Sequence, residues 1–398
     1  MKNLHLKLLR EHRLVRQLST IQLIAYLGTW FSTVAVYVLM SKLGANPMLI
    51  ALIAVMNFLP GIIQAPIAGA IIDKISFKPL MLSLLFVELF ATAGLLYIDR
   101  IELAWLLLAL VFIRMSASSF YFTSEMSLMP QVLTADELKT TNELHSVIWS
   151  FTYTAGMALG GFIVDLYGVR TAIIIDIIMF AIAIAIFIGV RVDVVIEKST
   201  DKLLKQVGDG IRYLKENKLV VYLIILHASV GLTAYDALVT LLADYQYKGV
   251  ISIALAIGLI NSVRALGLTM GPFFVGKYIN KNNLDFVMFM QAFFIILWGF
   301  LQFDFWLSLI GVFFTGFLTT SIWSLSYAML QAQTDKAYLG RVMSYNEMGF
   351  MSLSVFGSFL IGFLYEDFGV ELKYITFTLG GLFLLMAWYY RVIKKHYI

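Results

Sequence analysis

The 398-residue chain contains no cysteine. That excludes disulfides, thiolate nucleophiles and cysteine-ligated metals, and removes any inference of compartment from redox usage. Charge is scarce too: only 14% of residues are Asp, Glu, Lys or Arg, against about a quarter in an average soluble domain. The five histidines are scattered without ligand spacing. No phosphate-cradling GxxxxGK[ST], HExxH or EF-hand pattern occurs, so ATP hydrolysis and metal catalysis have no support, and neither a cofactor nor a metal is expected.

What is present is apolar. Hydrophobic residues make up 60% of the chain, mean hydropathy is +0.86, and runs of about twenty apolar residues, enough to cross a bilayer, recur from end to end. The pattern predicts an all-α polytopic membrane protein with spans near 18–40, 48–72, 79–98, 102–122, 143–164, 170–190, 218–242, 251–276, 284–302, 305–328, 343–365 and 371–391. The first run follows a basic leader (1–17) but is too long for a signal-peptide core, so it is expected to remain as a span. Of the 29 Lys and Arg residues, 22 fall on the side shared by both termini. The opposite loops hold Lys42, Arg100, Arg170, Lys248 and Lys373. Positive charge stays inside, so the termini are expected in the cytoplasm and the protein in the cell (inner) membrane. The net charge of +4 is thereby explained by topology, and no nucleic-acid partner is expected.

A charged connection at 191–217 separates an N-terminal bundle (18–190) from a C-terminal bundle (218–391) and a short tail (392–398). Leu203, Val207, Ile211 and Leu214 form one stripe there, predicting a surface amphipathic helix. The halves echo each other. GFIVDLYGV (161–169) matches GFLYEDFGV (362–370), Asn142-Glu143 matches Asn346-Glu347, and GAIIDK (69–74) matches GKYINK (276–281). Paired six-span repeats are a transporter architecture, with the substrate path between the repeats.

The loop GAIIDKISFKPL (69–80) resembles the signature between spans two and three of the major facilitator superfamily. Gly69, Asp73, Lys74 and Lys78 match it, while Ser76 and Phe77 replace a usual glycine and a usual basic residue. FLPGIIQAPIAG (58–69), IRYLKENKLV (211–220) and LGRVMS (339–344) are similar to bacterial efflux members, including the enterobactin-exporter and macrolide-efflux groups. GMALGG (156–161) resembles the antiporter motif Gly-Pro-x-x-Gly-Gly through Gly156, Gly160 and Gly161, with Met157 in place of proline. The resemblance implies two pseudo-symmetric six-helix bundles, alternating access and a monomer. It also implies that Asp73, Lys74 and Lys78 act as a latch; the alternative is that the lysines serve topology alone. The glycines of span five read equally as close helix packing.

Ionisable residues inside spans are costly and are functional candidates by default. Glu88 in span three and Arg114 in span four have matching depths and are expected to pair, either structurally or as a coupling site. Asp236 and Arg264 form a weaker candidate pair. His227, near the middle of span seven, titrates in the physiological range when unperturbed; the alternative is a hydrogen-bonded structural role. Asp176 is expected near the outer surface with a structural role. Trp30, Asn57 and Tyr153 are the candidates to line a substrate cavity. The reading is a non-enzymatic secondary transporter of a small hydrophobic or amphipathic organic compound, exporting against inward proton flow. Its partners are the bilayer, the small-molecule substrate and a proton. A siderophore or lipid exporter of the same fold and a transport-inactive receptor or scaffold are the alternatives.

Overall fold

All twelve predicted spans form helices long and apolar enough to cross a membrane in the computed structural model. The structure describes residues 8–72, 75–192, 203–336 and 338–397. The first six spans are α1 (Arg13–Lys42), α2 (Pro47–Ile72), α3 (Phe77–Gly94), α4 (Ala104–Val132), α5 (Ala135–Tyr167) and α6 (Val169–Ile188). A surface helix, α7 (Leu203–Glu216), follows. Span seven is composite: α8 (Lys218–Ala228), a tight 3-10 stretch (Ser229–Thr233), α9 (Asp236–Leu241) and a wide π turn (Leu242–Gln246). The remaining spans are α10 (Ile253–Phe274), α11 (Leu284–Leu301), α12 (Phe305–Gln333), α13 (Leu339–Glu366) and α14 (Leu372–Tyr397). Helices satisfy every interior backbone group locally, which a bilayer demands.

The fourth and fifth spans exceed their expected bounds. α4 runs to Val132 and α5 starts at Ala135, where 122 and 143 were expected. Thr134 and Glu137 form a capping box at the start of α5: each side chain bonds the other's backbone N–H. That pairing satisfies orphan donors of the first turn and lets the helix begin inside a polar stretch.

The glycines of the internal repeat have a local reason. Gly168 (φ 86°) and Gly369 (φ 62°) end the matching segments 161–169 and 362–370 in the left-handed region. Glycine enters that region without steric cost, so the turns into α6 and α14 need it.

Packing divides the chain into two compact units. One comprises residues 1–44 and 67–200, the other 45–66 and 201–398. The sequence division at the 191–217 linker therefore differs from the packed one, because most of α2 belongs with the C-terminal helices. The Glu366 carboxylate accepts hydrogen bonds from Asn46 Nδ2 and Met48 N, both 2.7 Å, and so caps the positive end of α2. Gly362, from the repeat, leaves room for Ala51.

In the first unit α1 packs on α5 and α6, and α3 on α4 and α6. A Cβ on Gly156 would meet Trp30 Cβ at 2.7 Å, and one on Gly160 would meet Phe31 Cα at 3.1 Å. Two of the three motif glycines of span five therefore allow α5 to approach α1, as the packing reading expected. In the second unit, α10 crosses α12 at still closer range. Gly267 and Gly271 lie against the carbonyls of Phe313 and Phe317, and Gly316 lies against that of Arg264. Gly271→Ala should destabilise the purified protein by about 1–3 kcal/mol, since backbone cannot yield to a methyl group. Thermal unfolding in detergent checks this, and an unchanged midpoint would contradict the close crossing.

The linker helix α7 forms as expected, and Leu214 of its apolar stripe is half-buried. Gly210 and Tyr213 are buried, whereas Ile211, on the predicted stripe, is 44% exposed. The Tyr213 ring stacks on Tyr338 at 4.3 Å, and its hydroxyl accepts from Asp335 N at 3.0 Å. A specific aromatic contact to the turn before α13 orients α7. Leu203 and Val207 have side chains outside the described residues.

Candidate functional site

Within the first unit, three buried charges meet between α3, α4 and α6. Arg114 is 4% exposed, Asp176 0% and Glu88 4%. Arg114 Nη2 donates to Asp176 Oδ2 at 2.8 Å, and Nη1 donates to Ser32 Oγ at 2.5 Å. The guanidinium also lies 5.7 Å from the centre of the Phe180 ring. Gly28 makes room for this arrangement, because a Cβ there would strike the Asp176 carboxylate. Glu88 stands beside Ser118 and within electrostatic reach of both Arg114 and Asp176.

This corrects one expectation. The hydrogen-bonded partner of Arg114 is Asp176, and Glu88 is the second carboxylate of the cluster. Asp176, early in α6, is wholly buried, where α1 packs over α6.

Two residues that the sequence reading passed over extend this polar interior. Glu125 on α4 is 2% exposed and His145 on α5 is 7% exposed. Their Oε1 and Nε2 approach to 3.2 Å. Spans drawn to end at 122 and begin at 143 left Glu125 in a loop and His145 at a helix start. The signal that was available is the Thr134-x-x-Glu137 capping box, which starts α5 early enough to put His145 three turns inside. Between Glu88 and Glu125 lies a small cavity of about 20 Å³.

The loop between α2 and α3 is partly described. Gly69 lies in α2, while Asp73 and Lys74 fall outside the described residues. Lys78 Nζ donates to the carbonyl of Ile188 at 3.0 Å, the last residue of α6. A cation on an orphan carbonyl at a helix C-terminus is a stabilising contact within the first unit.

The proposed cavity residues are divided. Trp30 and Tyr153 come together with ring centres 4.6 Å apart, and Trp149 joins them at 6.3 Å from Trp30 and 5.3 Å from Tyr153. Asn57 is half-buried on α2 in the second unit.

In the second unit the break in span seven gathers the other candidates. Gly231 sits in the 3-10 stretch, where a Cβ would strike the Phe350 carbonyl of α13. Such breaks free backbone carbonyls at membrane depth and recur at transporter sites. Arg264 Nη2 donates to the Thr233 carbonyl at 2.6 Å, and the guanidinium lies 4.9 Å from the centre of the Tyr235 ring. Asp236 is within electrostatic reach of Arg264. The two expected partners are thus neighbours, with the broken backbone between them.

One turn before the break, His227 is 0% exposed and its Nδ1 lies 2.9 Å from Ser326 Oγ. Its ring is 4.3 Å from Trp323, 5.5 Å from Tyr327 and 6.4 Å from Phe350, centre to centre. Phe58 of α2 meets Phe350 edge-on at 6.4 Å. Trp323, Tyr327, Phe350 and Phe58 are each half-buried. Periodicity could not select these rings, because aromatics are spread through every span.

A buried ion pair inside the spans, a broken helix at an aromatic cluster and an internal repeat are features that recur in transporter folds. The Major Facilitator Superfamily pattern matches residues 18–301 and 251–397, and the chain belongs to that family. It is 23% identical over 213 residues to an uncharacterised MFS-type transporter, YkuC, of Bacillus subtilis (strain 168). That match covers 51% of this chain and 50% of the relative. The fold is similar to the nucleoside transporter NupG, with a TM-score of 0.72, 14% identity and coverage of 97% and 100% of the two chains. It is also similar to the POT family transporter PepTSo, with a TM-score of 0.73, 10% identity and coverage of 97% and 98%.

Proposed function

We propose that this protein is a proton-coupled secondary transporter that exports a small hydrophobic or amphipathic organic compound by alternating access. The observation that carries the reading is the buried cluster of Glu88, Asp176 and Arg114. Two carboxyl groups face one guanidinium in an interior shielded from bulk solvent, so the cluster reaches neutrality by taking up one proton. Asp176 is tied to Arg114 by a hydrogen bond, which leaves Glu88 as the carboxylate free to exchange that proton. His227 and its aromatic neighbours favour a flat, weakly polar substrate, since rings stack on rings and a neutral imidazole can donate or accept.

Everted membrane vesicles test the reading. Accumulation of hydrophobic dyes, siderophores, nucleosides and short peptides is measured with and without an imposed pH gradient. Gradient-dependent accumulation of a dye supports it. Gradient-independent accumulation removes proton coupling, and nucleoside or peptide uptake alone would replace the substrate class.

The direction of transport depends on topology. The partition of basic residues supports cytoplasmic termini and a cytoplasmic 191–217 linker. The absence of native cysteine makes Thr200→Cys a clean probe. It should resist impermeant maleimide in intact cells and react in everted vesicles; labelling from outside would invert the orientation.

A further inference from the structure

The cavity between α1, α3 and α4 is too small for an organic substrate. At about 20 Å³ it has room for one water, which needs about 10–15 Å³. Its walls are nevertheless polar: Gln22 and Tyr26 from α1, Glu88 from α3, and Ser118, Tyr121 and Glu125 from α4. Gln22 is 4% exposed, and its Oε1 has no hydrogen-bond partner among the described residues; the Tyr121 hydroxyl has none either. Buried polar atoms of this kind are costly unless something bonds them, and a water with several polar neighbours does so. On the far side of Glu125, His145 Nε2 stands 3.2 Å from Oε1; the two atoms are close without forming an aligned hydrogen bond, and neither has another partner among the described residues. His145 lies on the α5 side of the short α4–α5 turn, where the exposed Asp136, Asn142 and Glu143 make the surface polar.

We propose that Glu88, a water in this cavity, Glu125 and His145 form a proton-transfer path between the membrane interior and the α4–α5 turn. The inference rests on the proton-coupled reading and supplies its route. In the inward direction of the path, His145 Nε2–H gives its proton to Glu125 Oε1. Glu125 then passes a proton through the water to the Glu88 carboxylate. Each step breaks one N–H or O–H bond and forms another, so one positive charge moves to Glu88 and His145 is left neutral. Return of a proton from the polar turn restores the histidine. Tyr26 and Tyr121 face the same space and orient the water by their hydroxyls. Arg114 and Asp176 stay bound to each other and act as fixed charges beside Glu88.

The test needs no substrate. The full chain is reconstituted in phosphatidylethanolamine and phosphatidylglycerol liposomes. The infrared carbonyl band of protonated Glu88, identified by its loss in Glu88→Gln, is followed after a pH jump. Glu125→Gln and His145→Phe should each slow the appearance of that band about tenfold or more, the scale of a lost proton carrier. Unchanged rates in both variants overturn the path and leave Glu88 as a coupling site. No Glu88 band at any pH overturns the path together with the coupling reading. A band abolished by sodium ions at constant pH makes the cavity a cation site and overturns the path as well. Where either variant folds poorly, Tyr121→Phe removes a hydroxyl that borders the water; slowing supports the path, and an unchanged rate overturns it.

Discussion

Arg114→Ala should lower the stability of the purified protein by about 3–5 kcal/mol, the scale of breaking a buried ion pair. Arg114 lies 4% exposed between Ser32 and Asp176, with Glu88 in electrostatic reach. Removing the guanidinium strands one or two carboxyl groups away from bulk solvent, and leaves Ser32 without its donor. Asp176→Ala should be nearly as damaging, because the guanidinium then loses its anchored partner. The double variant should be less unstable than the sum of the two, since neither charge is then left alone. Unfolding in detergent across this cycle is the measurement. A loss under about 1 kcal/mol for Arg114→Ala, typical of solvated pairs, would mean that water enters the cluster and that the charge-balance argument fails.

Glu88→Gln should spare the fold and remove coupling. The amide keeps the volume of the carboxyl, and Ser118 beside it can still hydrogen-bond it, so expression and melting should stay close to those of the parent. What is lost is a group able to bind and release the proton that the Glu88–Arg114–Asp176 cluster requires. Gradient-driven export of the compound found in the vesicle panel should fall roughly 100-fold or more, the contribution of a positioned acid–base group. Exchange of that compound across the membrane without a gradient should persist, and Glu88→Asp should restore part of the driven rate. Full gradient-driven export by Glu88→Gln would make the cluster structural and move the proton site to His227 or Asp236.

The two effects fall on different observables because Arg114 and Glu88 differ in their contacts. Arg114 is tied down by Ser32, Asp176 and Phe180, so its loss registers as stability. Glu88 borders a water-sized space, so its loss registers as function.

Topology was legible in the chain itself. Twelve apolar runs became twelve largely helical spans because a helix satisfies its backbone hydrogen bonds within one segment, as a bilayer requires; span seven alone among the described spans is broken. The repeat was legible because the same turn needs the same glycine in each half, as Gly168 and Gly369 show. Buried charge was legible as well: Glu88, Arg114 and Arg264 are conspicuous in apolar runs, and all three are buried.

Partnership was decided only by the tertiary structure. Depth along two antiparallel spans suggested Glu88 for Arg114, but hydrogen bonding depends on the rotation of each helix, and the glycine at 28 lets α1 close over Asp176. Residues 45–66 fall in the second unit, where Glu366, Gly362 and Phe350, each about 300 residues away along the chain, meet the start and middle of α2. Hydrophobicity also misplaced Glu125 and His145, because a polar stretch ends an apolar run without ending a helix that has a capping box and neighbours to pack on. Chain composition sets which segments enter the membrane. Which charges share a proton is set by helix rotation and close packing, and those arise from contacts between residues far apart in the sequence.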